Sequence, residues 1–323
     1  MIKVGLIGIG SMGFVHYEEY KKIEDATITA VADVRVDMAK EKIGSDDVRV
    51  YKSIDELLAN EDVDMVDICV PSYLHPELSV KALEAGKHVL CEKPMCVTSE
   101  ETKHVIEASE KSGKFFMTAH VVRFMTAYKY LKSIVDSKEL GKPLHIEMKR
   151  LSSIPRWSWE DWMRDTQKSG GSPIDLSIHD IDFVQDVFGQ PEKITGVHHK
   201  TKDDSNYLIS NLVYDGFDVL ISGGWFKCDM PFVAEYLAIF EKGIIESAGG
   251  IVRKNGKEVN ISKADFNEIK GMNLSVADGY GDEISYFVDC IKNDTKPTKI
   301  TPQSSADSVN LVEEIIENSV DVL

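Results

Sequence analysis

The chain has 323 residues, of which 43% are hydrophobic and 28% charged, so its length suits two domains and its composition suits a globular protein. The formal net charge of −17 argues against nucleic acid or an anionic membrane as partner, because both bind clustered lysine and arginine. No apolar run approaches the roughly 20 residues that cross a bilayer, and the glycine-interrupted apolar start is typical of a buried strand rather than a signal peptide. We therefore expect a cytoplasmic protein.

The five cysteines are odd in number and lie in apolar contexts, which is typical of buried, reduced thiols. Cys91 and Cys96 lie near His88, but no second Cys or His pair follows at the spacing of metal ligands. We therefore predict no metal site.

The first 120 residues alternate short apolar runs with helical patterns, which predicts βαβ units and a doubly wound parallel sheet, a Rossmann domain over residues 1–120. The capping-box spacings Ser53-x-x-Glu56 and Thr98-x-x-Glu101 predict helix starts, and Gly113 predicts a helix end. The predicted strands are Val4–Ile7, Ile28–Ala32, Met65–Val70, His88–Cys91 and Phe115–Thr118.

A glycine motif, Gly8-x-Gly10-x-x-Gly13, follows the first predicted strand directly and opens a helix, as a dinucleotide site requires. Gly8 permits the tight turn, Gly10 leaves room for a pyrophosphate, and Gly13 allows helix and sheet to pack closely. The N–H groups and positive end of the helix then bind phosphate. We therefore expect Ser11 and Met12, at the start of that helix, to bind the cofactor together with the three glycines.

Asp33 ends the second predicted strand, where a carboxylate accepts hydrogen bonds from the ribose hydroxyls and repels a 2′-phosphate. This favours NAD as the cofactor. Arg35, two residues further on, would accommodate a 2′-phosphate if it turned inward, so NADP stays open as an alternative.

Past residue 120 the pattern changes, because strand-like runs follow one another with the hairpin signals Asp215-Gly216 and Asn255-Gly256 between such segments. We predict an α+β domain over residues 121–323, with an open, mostly antiparallel sheet and helices on one side. Its uncovered face leads us to expect a homodimer or homotetramer through the sheet. The predicted strands are Leu144–Leu151, Ile194–Thr201, Tyr207–Tyr214, Phe217–Trp225 and Phe232–Phe240, and the predicted helices are Tyr128–Ser137, Asp175–Phe188, Gly281–Lys292 and Gln303–Ser319.

Two segments carry candidate chemistry. The segment Cys91–Pro94 follows a sheet strand at its carboxyl end, where open α/β sheets bind ligands. Asp175 and His179 are four residues apart and share a helix face, so the carboxylate can orient the imidazole as a general base, although Asp175 could instead cap the helix. Of the acids flanking His179, we expect Asp180 on the surface and Asp182 at the pocket.

The chain resembles the glucose–fructose oxidoreductase / inositol dehydrogenase (Gfo/Idh/MocA) family along most of its length. The resemblance rests on the glycine motif, Pro71-Ser72-Tyr73-Leu74-His75, Glu92-Lys93-Pro94, Leu140-Gly141-Lys142-Pro143 and the block Gly170-Gly171…Asp175…His179…Asp182. It implies hydride transfer between a nicotinamide and a secondary alcohol carbon of a sugar, cyclitol or related polyol. Lys93 would hydrogen-bond the reacting oxygen and help to orient the nicotinamide ribose of the cofactor. His179, with Asp175 as its partner, would take the hydroxyl proton.

The chain departs from the family at two places where we expect substrate. Ser177 stands where the family often has glycine, and residues 121–124, Val-Val-Arg-Phe, replace the family's Asn-Arg-Arg/Tyr-Phe. Three alternatives stay open: a glycosidase that uses NAD transiently, a dehydrogenase of dihydrodiols or imines, and a non-enzymatic nucleotide sensor. Loss of the lysine or the histidine would indicate the sensor, and both are present.

Further residues are candidates for the cofactor or the substrate. Pro71, Ser72 and Glu92 are expected beside the cofactor. His75 either borders its ribose or simply occupies the first turn of a helix. His120 and Arg123 are candidates to contact substrate hydroxyls, and a domain-linking ion pair is an equal alternative for Arg123.

An aromatic and charged loop spans residues 153–169. Its aromatic faces would stack on the C–H surfaces of a sugar, which makes a substrate wall of Arg156, Trp157 and Trp162. Trp159 and Arg164 belong to the same stretch. The competing interpretation is an oligomer contact, since Trp and Arg are also enriched at interfaces.

Overall fold

A computed structural model describes residues 1–200, 205–261 and 279–322. The chain divides into two compact units, and each is described by itself. The Rossmann unit comprises Met1–His120 and Gly279–Asp307, and the sheet unit comprises Val121–Asp278 and Ser308–Leu323. The expected boundary after residue 120 therefore lies at the same place. Residues 279–307, expected in the second domain, belong instead to the Rossmann unit.

The Rossmann unit has a parallel sheet whose strand order reverses at its centre. The strands are β1 (Ile2–Ile7), β2 (Ala26–Ala32), β3 (Arg49–Tyr51), β4 (Met65–Ile68), β5 (His88–Glu92) and β6 (Phe116–Ala119). They pair in parallel in the order β3-β2-β1-β4-β5-β6. This confirms the doubly wound sheet, and its switch point lies between β1 and β4. The three-residue β3 was not predicted.

Helices α1 to α5 connect these strands, and α3 and α5 begin at the predicted capping signals. They span Ser11–Tyr20, Val36–Ile43, Ile54–Asn60, His75–Glu84 and Ser99–Ser112. The Ser53 hydroxyl accepts a hydrogen bond from the Glu56 N–H, and Thr98 and Glu101 form a reciprocal capping box. Gly113 ends α5 in the left-handed conformation, with φ of 68°.

The sheet unit has a nine-stranded mixed sheet. Its strands are β7 (Pro143–Ser153), β8 (Lys193–Lys200), β9 (Asn206–Tyr214), β10 (Phe217–Phe226), β11 (Val233–Phe240), β12 (Gly243–Ala248), β13 (Ile251–Lys254), β14 (Lys257–Glu258) and β15 (Ser319–Val322). The order is β14-β13-β12-β11-β7-β10-β9-β8-β15, with two parallel pairs, β7 with β10 and β8 with β15, so the mostly antiparallel sheet is confirmed. Thr201, the predicted end of one strand, lies outside the described residues.

Helices α6 (Thr126–Ser137), α7 (Thr166–Ser169) and α8 (Ile178–Phe188) belong to this unit. Side chains from α6, α8 and one face of the sheet form a single apolar core. Along β9, Leu208 and Leu212 point into that core, whereas Ile209 on the other face is 40% exposed. The sheet therefore carries its helices on one side, as predicted.

The last two helices explain the unexpected division of the chain. Helix α9 (Tyr280–Lys292) buries Ile284, Phe287 and Val288, and it packs against α1 in the Rossmann unit. Helix α10 (Pro302–Glu317) begins in the Rossmann unit and ends in the sheet unit. An amphipathic pattern predicts that a helix buries one face but does not specify which unit receives it. Within the described ranges, no helix is long and apolar enough to cross a membrane.

One close approach joins β10 to the helix layer of the sheet unit. Helix α8 is preceded by a π-helical turn, Pro173–Ser177, and Ser177 is completely buried. A Cβ atom on Gly223 of β10 would lie 2.0 Å from the Ser177 hydroxyl oxygen. A glycine must therefore face this serine. Ser177, one of the departures from the family, packs against the sheet.

We expect Gly223→Ala to lower the free energy of unfolding by about 1–3 kcal/mol, because the added methyl group overpacks this contact. Urea unfolding followed by circular dichroism would measure the loss. Adding Ser177→Gly should recover part of it by removing the opposing side chain. Ser222→Ala, on the other face of β10, is the control and should change stability by less than about 0.5 kcal/mol. If the variant with both substitutions loses as much stability as Gly223→Ala alone, the contact with Ser177 is not the cause of the loss.

Candidate functional site

The glycine loop, residues 8–13, forms a cradle in the Rossmann unit. Gly8 has φ of +84°, and a Cβ atom on it would lie 2.5 Å from the Cys69 carbonyl oxygen. A Cβ atom on Gly13 would lie 1.9 Å from the Gly8 carbonyl oxygen, whereas one on Gly10 would meet nothing within 4 Å. Gly8 and Gly13 thus permit close packing, and Gly10 faces open space where α1 begins with Ser11. This geometry fits a dinucleotide pyrophosphate.

Asp33 and Lys42 hold the glycine loop from two sides. The Asp33 carboxylate is buried and accepts hydrogen bonds from the Ile9 N–H at 3.0 Å and the Arg35 N–H at 2.8 Å. The exposed Arg35 side chain also donates to Asp33 through Nε, at 3.3 Å. Lys42 of α2, which sequence reasoning missed, donates to the carbonyl oxygens of Ile9 and Gly10 at 2.9 and 3.1 Å. Its burial, with the nearby charge of Arg35, lowers the pKa of Lys42.

The Glu-Lys-Pro turn, residues 92–94, leaves the carboxyl end of β5. The Lys93 N–H donates to the Glu92 carboxylate at 3.1 Å, and the Lys93 side chain is partly exposed. His75 begins α4, after the turn that contains Pro71 and the buried Ser72. Its imidazole is buried, with Nδ1 2.6 Å from the Pro94 carbonyl oxygen, and burial lowers the pKa of this ring. His75 therefore contacts the backbone of the turn that carries Lys93, and its role toward a cofactor stays a prediction.

A buried polar cluster, which sequence reasoning missed, lies beneath that turn. His16 of α1 is completely buried, with Nδ1 2.9 Å from Asp67 Oδ2 and Nε2 3.2 Å from Glu92 Oε1. The Cys69 thiol lies 3.5 Å from both His16 and Asp67. The available signal was Asp67 itself, a lone carboxylate in the otherwise apolar strand β4. The side-chain N, O and S atoms of His16, Asp67 and Cys69 lie within 4.8 Å of one another, and hydrogen bonds connect them.

Within this cluster, burial and the neighbouring charges shift the pKa values in opposite directions. Burial is the largest single effect on the pKa of His16 and would lower it, but the charges and hydrogen bonds of Asp67 and Cys69 together outweigh burial and raise that pKa well above its usual value. Burial is the largest single effect on the pKa of Glu92 and would raise it, but the hydrogen bond and charge of His16, with the charges of Lys93 and His75, together lower that pKa. Burial raises the pKa of the Cys69 thiol. Both pKa shifts favour an imidazolium at His16 with an ionised carboxylate at Glu92.

In the sheet unit, Asp175 and His179 lie on one continuous helical stretch. Asp175 is in the π-helical turn and buried, and His179 is in the first turn of α8 and partly exposed. Asp175 lies inside the helical stretch, so the expectation that it caps the helix is wrong. Single π turns are frequent at functional sites because they redirect side chains.

The two acids that flank His179 are both buried. Asp180 was expected on the surface, which is wrong: it lies 2.7 Å from the Arg150 guanidinium and accepts a hydrogen bond from the Tyr128 hydroxyl at 3.1 Å. Asp182 pairs with Arg123 at 2.7 Å. Each carboxylate is thus matched by a buried arginine, as buried charges require.

Arg123 makes ion pairs with acidic residues of the sheet unit. Besides Asp182, it donates to Asp186 at 3.0 Å, and its side chain is only 6% exposed. Asp182 also accepts a hydrogen bond from the Ser308 hydroxyl at 2.7 Å. His120, the other candidate on this segment, is buried at the end of the Rossmann unit.

The aromatic loop packs against the helical stretch that carries Asp175. Trp162 joins a small apolar cluster that includes Leu176, the residue after Asp175. Trp157 is 47% exposed, and Arg156, Trp159 and Arg164 are exposed as well. Among the cysteines, four are buried as expected, and Cys228 is exposed, which corrects that expectation.

Comparison with protein families gives two adjoining matches. Residues 2–120 match the model described as an oxidoreductase family with an NAD-binding Rossmann fold, and residues 128–226 match the GFO/IDH/MocA C-terminal domain.

The individual relatives share limited sequence identity with this chain. Myo-inositol 2-dehydrogenase of Thermotoga maritima is 34% identical over 192 residues, 58% of this chain and 55% of that protein, so the chain spans little more than half of its length. 2,7-Anhydro-N-acetylneuraminate hydratase of Mediterraneibacter gnavus is 29% identical over 78% of this chain and 70% of that protein. The crystal structure of myo-inositol 2-dehydrogenase from Lactobacillus plantarum has the same fold, with a TM-score of 0.79 and 19% identity over 98% of this chain and 96% of that one. The chain thus belongs to the GFO/IDH/MocA family of oxidoreductases.

Proposed function

We propose that the protein is an NAD(P)-dependent dehydrogenase that oxidises a secondary alcohol carbon of a cyclitol, sugar or related polyol. The observation that carries the proposal is the placement of Asp175 and His179 on one helical stretch, in a chain whose other unit holds the glycine cradle and Lys93. Family membership and the names of inositol dehydrogenase relatives support the same activity.

Each residue has a defined role in this proposal. Lys93 donates a hydrogen bond to the substrate oxygen and stabilises the negative charge that develops there. His179 takes the hydroxyl proton on its imidazole, and Asp175 orients that ring and stabilises its charged form. The glycine loop and Asp33 would hold the cofactor, and when bound its nicotinamide ring supplies the hydride acceptor. Asp180, paired with Arg150, does not compete for the proton.

We propose that the cofactor is NAD rather than NADP. The buried Asp33 carboxylate lies beside the glycine loop and is held there by the Ile9 N–H. The Arg35 side chain donates to Asp33, so the cation that would attract a 2′-phosphate is engaged with the carboxylate that would repel it. Lys42 likewise binds loop carbonyl oxygens.

Asp33→Asn should weaken NADH binding by about 10- to 100-fold, because a hydrogen bond to a charged acceptor is lost, and should tighten NADPH binding. Dissociation constants would be measured by quenching of intrinsic fluorescence. The control is Asp37→Asn, an exposed acid in the first turn of α2, which should leave both constants unchanged. Tighter binding of NADPH than of NADH by the unaltered protein would contradict the assignment.

The aromatic loop is the best candidate for a substrate wall. Trp157 is exposed and lies in the loop that packs on the helical stretch of Asp175, so its face is available for the C–H surface of a polyol. Trp162 supports the loop, and Arg156 adds a donor. Arg123 and His120 are buried, and we assign them to the support of the site rather than to first contact with substrate.

Lys93→Ala should lower kcat by about 10²–10³-fold and His179→Ala by about 10²–10⁴-fold, because each removes one partner of the developing charge or the moving proton. The measurement is NADH formation at 340 nm with a panel of cyclitols, aldoses, sugar acids and glycosides. NADH binding by both variants should stay close to that of the unaltered protein.

The matched controls are Lys111→Met and His104→Asn, both on the exposed face of α5. They should retain full activity. Release of aglycone from glycosides without net NADH formation would replace the dehydrogenase with a redox-assisted glycosidase. Cofactor binding with no turnover of any compound would leave a nucleotide sensor.

We also propose a cytoplasmic homodimer or homotetramer that forms through the sheet face opposite the helices. Exposed Ile209 on that face supports the proposal, since an uncovered apolar sheet face is typical of an interface between subunits. Light scattering should give two or four times the 36.1 kDa chain mass, and Ile209→Glu should lower it. A single species at the chain mass would contradict assembly.

A further inference from the structure

The buried cluster beneath the Glu-Lys-Pro turn has no role in the chemistry proposed above, yet it touches that turn directly. Its centre is the imidazole of His16, which lies between two carboxylates, Asp67 at 2.9 Å and Glu92 at 3.2 Å. Both neighbours accept hydrogen bonds when ionised and neither can donate one. With both carboxylates ionised, each ring nitrogen carries a proton and donates it, so this arrangement favours an imidazolium.

The Glu92 carboxylate links this imidazolium to the residue proposed to contact substrate. One carboxylate oxygen, Oε1, faces His16, and the other, Oε2, accepts the Lys93 N–H at 3.1 Å. A carboxylate fixed at both oxygens cannot rotate without breaking a charge-assisted hydrogen bond. The backbone position of Lys93 is thus connected, through Glu92, to helix α1.

Other groups face the cluster from each element packed on it. From β4 and its carboxyl end come Asp67 and the Cys69 thiol, and from α9 come the Tyr280 ring, 6.1 Å from the His16 ring between centroids, and the buried Glu283. On α1 itself, Tyr20 is buried near Asp67. The carboxylates of Asp67 and Glu92 both contact the His16 ring, which favours its protonated form although the ring is completely buried.

We propose that His16 is a positioning residue for Lys93: as a buried imidazolium it fixes the Glu92 carboxylate, which in turn holds the Lys93 backbone where its side chain meets the substrate oxygen. The inference rests on the proposed dehydrogenase function. A displacement of about 1 Å at a catalytic group lowers the rate by about 10²-fold, so such a support is felt in kcat.

The first test does not depend on activity. In protein labelled with ¹⁵N-histidine, the His16 resonances are those absent from His16→Asn, and both ring nitrogens should stay protonated from about pH 6 to pH 8. Glu92→Gln should lower the pKa of this ring, because one carboxylate partner is lost. A His16 ring that loses its proton near its ordinary pKa would overturn the proposal.

The second test follows Lys93 itself. With ¹⁵N-lysine, the Lys93 amide signal is the one that disappears in Lys93→Arg. In His16→Asn this signal should move, and its hydrogen exchange should accelerate by about tenfold, whereas the Lys111 amide on α5 should not change. An unmoved Lys93 amide would overturn the proposal even if no substrate has been found.

The third test separates positioning from stability. His16→Asn should lower kcat by about 10- to 100-fold and change the NADH dissociation constant by less than about threefold. The control is Thr102→Val, which removes a buried hydrogen bond of α5 that has no link to Glu92 and should lower Tm without lowering kcat. Equal losses of kcat in both variants would overturn the positioning role. If the unaltered protein oxidises no polyol, the proposed dehydrogenase function fails. The two NMR tests then still decide whether His16 positions Lys93.

The pH dependence of the melting temperature gives a further test, which requires no enzymatic activity. Because the folded pKa of His16 is raised, its contribution to stability is complete below about pH 6.5 and is lost as the pH rises through the folded value. The difference in Tm between the unaltered protein and His16→Asn should therefore narrow as the pH rises. A difference that widens would contradict a protonated His16.

Discussion

The close approach of Gly13 to the Gly8 carbonyl oxygen is the contact on which the Rossmann unit depends. A side chain at either position would push α1 away from the sheet, since a Cβ atom on Gly13 would lie 1.9 Å from that oxygen. His16 follows Gly13 by one helical turn, so the same contact carries its imidazole down to Asp67 and Glu92. The close packing of α1 on the sheet therefore both shapes the glycine cradle and places His16 against Glu92, whose carboxylate accepts the Lys93 N–H.

In the sheet unit, helix α8 carries His179 among several acidic residues. Asp180 and Asp182 flank His179, and unpaired they would destabilise the fold and attract the proton that the base should take. Arg150 pairs with Asp180 and Arg123 pairs with Asp182, so both negative charges are neutralised inside the unit. Removing either arginine would leave a buried carboxylate uncompensated, a loss of about 3–5 kcal/mol. Asp175, buried in the π-helical turn, keeps the proposed role of orienting His179.

Local patterns predicted the parallel sheet, the caps at Ser53 and Thr98, and the glycine cradle, because each depends on residues close in sequence. Features that depend on distant partners were missed or misjudged. Asp180, on helix α8, was expected on the surface because its partner Arg150 lies on strand β7, 30 residues earlier, and gives no local signal. His16 gave no signal by itself, because both its carboxylate partners follow more than 50 residues later. The amphipathic pattern of α9 predicted a helix without indicating that α1 would receive its apolar face.

The buried cluster also bears on the choice between an enzyme and a nucleotide sensor. A sensor needs the glycine cradle and Asp33, and neither requires charges beneath the Glu-Lys-Pro turn. Burying His16, Asp67 and Glu92 costs desolvation that their mutual attraction offsets only with good geometry, so an apolar core of the same volume would be at least as stable. What the charges provide, and apolar side chains would not, is a directional hold on the backbone of Lys93 through Glu92. Such a hold matters when the Lys93 side chain must meet a substrate oxygen, which favours the enzyme.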